Sequence, residues 1–78
     1  MTDTQAKTRF YVGLTYQVRR ADGTTGGAYP YQVTVVSRDE EAALTDAREG
    51  LFRQLLGVEI VRHRDDLIVI SSNTRPVK

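Results

Sequence analysis

From Arg9 to Arg20 the residues change character at every step: Phe10, Val12, Leu14, Tyr16 and Val18 are apolar, and Arg9, Tyr11, Gly13, Thr15, Gln17 and Arg19 fill the positions between. Neighbouring side chains of an extended chain point to opposite sides, so this period of two dictates a long strand with one buried face. The chain has 78 residues, enough for one core and not for two. The cover for that face must come from the same small domain.

Ala21-Asp22-Gly23-Thr24-Thr25-Gly26-Gly27 follows, with turn chemistry throughout. Tyr29, Tyr31, Val33 and Val35 then alternate with Pro30, Gln32, Thr34 and Val36, which makes a second strand and a hairpin. A tight turn at Asp22-Gly23 would pair Tyr16 with Tyr29. It sets Pro30 opposite Thr15 at a hydrogen-bonded position, where proline has no N–H to give. A wider loop closing on Arg20 and Gly27 pairs Tyr16 with Tyr31 and Leu14 with Val33, relieves Pro30, and is the preferred register. Proline also assigns the second strand to a sheet edge.

Ser37-Arg38-Asp39-Glu40 fits a capping box with Ser37 as N-cap. The period then changes to 3.6, with Ala43, Leu44, Ala47, Leu51 and Leu55 on one face and Gly57 at C′, so a helix is predicted over 38–56. Gly50 inside it costs about 1 kcal/mol relative to alanine, and close approach to the sheet accounts for it. Val58 to Ser72 is long for one strand, and Arg64-Asp65-Asp66 breaks it into strands at about 58–63 and 67–72, with a single bent strand as the alternative.

The predicted fold is α+β in the order β-β-α-β-β: a four-stranded mixed sheet with one helix packed on one face. This element order resembles that of β-grasp domains, which implies parallel, central first and last strands. A three-stranded ββαβ sheet is the alternative. Residues 8–72 form the single domain, flanked by polar, flexible ends at 1–7 and 73–78.

Several functions are excluded by what the chain lacks. There is no cysteine, hence no disulfide, thiolate metal site or cysteine nucleophile. His63 is the only histidine, in Arg62-His63-Arg64-Asp65-Asp66, and no further ligands or base partners converge on it from the sequence. Gly23-Thr24-Thr25-Gly26-Gly27 lacks the lysine and following helix of a phosphate-binding loop. The expectation is a non-enzyme with no cofactor and no metal. The amino terminus has no apolar signal core and the longest aliphatic run is Leu67–Ile70, so a cytoplasmic protein without membrane contact is expected.

Apolar residues are 40% of the chain, more than one helix over one sheet face can cover. The covered set is Phe10, Val12, Leu14, Tyr16, Tyr29, Tyr31, Val33, Val35, Val58 and Ile60. Left over are Tyr11, Val36 and Val61 on the opposite side, ringed by Arg9, Arg38 and Arg62, and a second helical stripe of Phe52 and Leu56. An apolar centre with an arginine rim suits a protein interface. The expected function is therefore a small protein-binding module, an adaptor or inhibitor of the kind phages encode, acting on a protein partner or on itself as a homodimer. Nucleic-acid binding through the Arg/Tyr sheet face ranks second, because eleven Lys+Arg against ten Asp+Glu leave a charge of only +1.

Overall fold

The computed structural model describes residues 7–77. Two strands, β1 (Thr8–Val18) and β2 (Tyr29–Ser37), lead into one helix, α1 (Glu40–Gly57). A single 3-10 turn at Arg64–Asp66 then opens the last strand, β3 (Leu67–Pro76). The fold is thus a three-stranded antiparallel sheet of order β2-β1-β3 with one helix, and the ββαβ alternative fits where the four-stranded mixed sheet does not. β1 is central, not paired in parallel with the last strand as the β-grasp-like order implied.

The core is built from the two periodicities. Phe10, Val12 and Leu14 of β1 meet Ala43, Ala47, Leu51 and Leu55 of α1, all buried. The two alanines keep the helix close to the central strand, since neither carries a side chain beyond Cβ. Gly50 is different. A methyl group there would lie 4.0 Å from the Tyr31 hydroxyl, an ordinary contact, so close approach does not require glycine at this position.

The helix starts later than its predicted cap. Asp39 is the N-cap, its Oδ1 accepting from the Ala42 N–H at 2.8 Å, with Glu40 and Glu41 in the first turn. Ser37 instead ends β2, paired with Thr8 and buried.

The predicted hairpin register is also corrected. The Gly23 N–H bonds the Arg20 carbonyl, Gly23 has φ +90°, and the Arg20 N–H bonds Thr24, so a three-residue connection closes the hairpin. Gly26 lies across from Val18, yet Tyr29 pairs with Tyr16, so Gly27-Ala28 together oppose Gln17 and one extra residue is absorbed. That extra residue changes the parity. Even-numbered β1 residues bond toward β2 (Val18, Arg20) and odd ones toward β3 (Arg9, Arg19), so Thr15 and Pro30 face each other in a non-bonded pair. The tight pairing is therefore compatible with proline, which does lie on an edge strand.

The segment predicted as a strand at 58–63 is irregular. Val58 caps the helix through its N–H to Gln54, Glu59 takes φ 62°, and the Ile60 N–H returns to the Leu55 carbonyl at 2.8 Å. This reversal inverts the predicted burial: Val61 is 1% exposed, whereas Val58 and Ile60, assigned to the core, stand in solvent. Leu67–Ile70 lies at an edge rather than the centre, with Ile70 an unpaired extra residue between Ser71 and Val69. Residues 73–76, read as tail, continue β3, and the Val77 N–H bonds Arg9. The predicted flexible end at 1–7 falls, except for Lys7, outside the described residues.

Candidate functional site

The uncovered face of the sheet is polar along its middle and carries Val36 at one end and Ile68 at the other. Tyr11, Gly13, Thr15 and Gln17 share it with Thr34, Gln32 and Pro30 of β2 and with Arg75, Asn73 and Ser71 of β3, as the pairings require. None of the three strands contains an acidic residue. Tyr11 is half-buried, with the Arg75 guanidinium 5.2 Å over its ring.

The predicted docking patch does not assemble there. Arg9, Tyr11 and Val36 do lie together at one end of this face, Arg9 being directly paired with Val36. Arg38 follows β2 and points its Nε at Asp39, 3.7 Å away. Val61 belongs to the core and Arg62 to the loop after the helix, so neither is part of a sheet-face patch. The stripe of Phe52 and Leu56 is divided as well. Arg64 grips Glu49 through two hydrogen bonds of 2.5 and 2.7 Å while its guanidinium lies 4.7 Å over Phe52. Phe52 is thereby covered, and Leu56 remains exposed.

Four of the exposed large apolar residues gather where α1 runs out. Tyr29 (55% exposed), Ile60 (52%), Val58 (65%) and Leu56 (43%) surround the helix C-terminus. Between hairpin and helix lies a groove of about 380 Å³ lined by Tyr16, Val18, Arg20, Tyr29, Leu55 and Ile60, together with Gly26. Tyr16 and Tyr29 form one wall as a tilted pair with ring centroids 5.9 Å apart. The pairing follows from their direct opposition across β1 and β2.

The charges at this end are unequally satisfied. Asp22 accepts from the Thr24 hydroxyl at 2.7 Å and the Thr24 N–H at 3.0 Å, and these bonds hold its carboxyl below the usual range. Asp66 Oδ2 accepts from the backbone N–H groups of Arg62 and His63, which lowers its pKa likewise. Both carboxylates are thus occupied by local donors. Among the described residues, Arg19, Arg20 and Arg62 make no ion pair within 4.0 Å. The groove therefore carries an apolar floor and, at its lip, Arg20, which makes no ion pair within 4.0 Å among the described residues.

Sequence reasoning missed this site because it assigned Ile60, with Tyr16 and Tyr29, to the covered core. The turn signals at residues 21–27 and the apolar run after Gly57 were its only markers. Among the described residues no group of three His, Asp or Glu side chains could hold a metal ion, and no helix is long and apolar enough to cross a membrane. Comparison with protein-family models, with curated proteins and with solved structures finds no match to this chain.

Proposed function

We propose that this protein is a small cytoplasmic, non-enzymatic binding module, an adaptor or inhibitor, that docks a protein partner at the groove beside the helix C-terminus. The observation that carries this reading is the exposure of Ile60 and Tyr29 around an apolar floor, beside Arg20, which makes no ion pair within 4.0 Å among the described residues. The matching ligand is a peptide segment with an aromatic or aliphatic side chain next to an acidic one. The apolar group fills the groove and the acid meets Arg20. This relocates the contact from the sheet face, where polar positions separate Val36 at one end from Ile68 at the other.

Selection of binding peptides from a random library tests the proposal. Enriched sequences should combine Asp or Glu with Phe, Leu or Ile, and should lose binding to Ile60→Ser and Arg20→Glu but not to Val36→Ser. Peptides without acidic residues, or binding indifferent to Ile60→Ser, would refute it.

A second reading has its own observation. The acid-free sheet face, with Arg9 and Arg75 beside Tyr11, suits a nucleic-acid strand by stacking and phosphate contact. Retention on single-stranded DNA that falls steeply with salt and is lost in Arg75→Ala would support this reading over the first.

A further inference from the structure

We propose that two copies of this chain join edge to edge through β2, in antiparallel register centred on Thr34, to form one continuous sheet. The inference is independent of the groove. It starts from the hydrogen-bond parity of the hairpin: even-numbered β1 residues bond toward β2, and their partners are Ser37, Val35, Val33, Tyr31 and Tyr29. The N–H and C=O groups of Gln32, Thr34 and Val36 consequently point away from β1, along a strand that ends the sheet. Such a row of backbone groups is a template for another strand.

The side chains make that template self-complementary. Tyr31-Gln32-Val33-Thr34-Val35-Val36 holds no charge, no glycine and no proline, and all but Gln32 favour extended structure. With Thr34 opposite Thr34 across a two-fold axis, Gln32 meets Val36, and on the helix side Val33 meets Val35 in both directions. No like charges are brought together within this segment. Pro30, whose ring removes the next outward N–H, limits the ladder at one end.

Burial supplies a second reason. Val12 of the central strand is wholly buried, while Val33 and Val35, on the same face one strand away, are only partly so. The shortfall lies where no strand flanks β2, and a second β2 would cover it. The axis closes the assembly at two copies, since it consumes both β2 edges. The β3 edge is interrupted by the extra residue Ile70, a device that discourages pairing.

Light scattering of the intact protein over a dilution series should give twice the chain mass, falling to the single mass on dilution. Thr34→Lys and Thr34→Glu each place like charges opposite themselves and should be monomeric, with circular dichroism spectra like the parent's. An equimolar mixture of the two should regain the doubled mass. Amide exchange should show the Gln32, Thr34 and Val36 N–H groups protected only under dimer-forming conditions. A parent protein that stays monomeric, a dimer indifferent to both charged variants, a mixture that remains monomeric, or free exchange of those amides in the dimer would each overturn the proposal. Loss of peptide binding in Ile60→Ser with the doubled mass retained would separate this interface from the groove.

Discussion

The two ends of α1 solve the same chemical problem differently. Four backbone groups at each end of a helix lack partners within it. At the N-terminus a side chain does the work, Asp39 accepting from Ala42, with Glu40 and Glu41 facing the positive end of the dipole. At the C-terminus the last turn has no basic residue, and the following backbone folds back instead, Val58, Glu59 and Ile60 donating to Gln54, Leu56 and Leu55. The first solution leaves a polar end. The second turns Val61 into the core and Val58 and Ile60 outward, which sets Ile60 at the wall of the groove.

The strongest test of this contrast is Val61→Thr, which keeps the shape but buries a hydroxyl. It should cost roughly 1–3 kcal/mol in denaturant unfolding. A smaller loss would show that Val61 does not anchor the loop. Asp39→Ala attacks the other end and should cost about 1 kcal/mol through the lost cap. Glu59→Gly should act in the opposite direction at the C-terminus, raising stability by up to ~1 kcal/mol, because Glu59 holds a left-handed φ of 62° that glycine adopts without strain. An unchanged midpoint there would remove strain from the account. Gly50→Ala, in the middle between the two ends, should stabilise by up to ~1 kcal/mol, since the new methyl makes only ordinary contacts.

The smallest effect concerns pH. The Asp66 pKa is lowered in the fold by backbone donors, so its stabilisation is complete above the unfolded-state pKa and fades as pH falls through the folded one. Thermal melts of Asp66→Asn should therefore differ from the parent near neutrality and converge with it in acid. Parallel curves at all pH values would rule out the carboxylate as the cause.

Much of the scaffold was legible because it rests on periodicity. The alternation from Phe10 to Val18 identified the inward face of β1, and Ala43, Ala47, Leu51 and Leu55 were the buried face of the helix. What the sequence hid were positions where one residue changes the parity. Val58 and Ile60 alternate like a strand, and nothing in a glutamate announces the positive φ that sends them outward. The extra residue at Gly27-Ala28 reversed which pairs are bonded, so sound reasoning about Pro30 selected the wrong register. Ser37 and Asp39 are both good caps, and pairing of Ser37 with Thr8 left the task to Asp39. The candidate site suffered most, because Tyr11, Val36 and Val61 share a surface only if residues 58–63 are a strand.

The N–H groups of Val58 and Ile60, bonded to the Gln54 and Leu55 carbonyls, tie the start of the loop to the helix, and buried Val61, followed by the clasp of Arg64 on Glu49 and Phe52, ties down the rest. Ile60 is consequently presented from a short span moored on both sides. A ligand arriving there meets a recess already shaped, with little chain freedom left to surrender, so a few contacts convert into affinity more fully than they would on a floppy span.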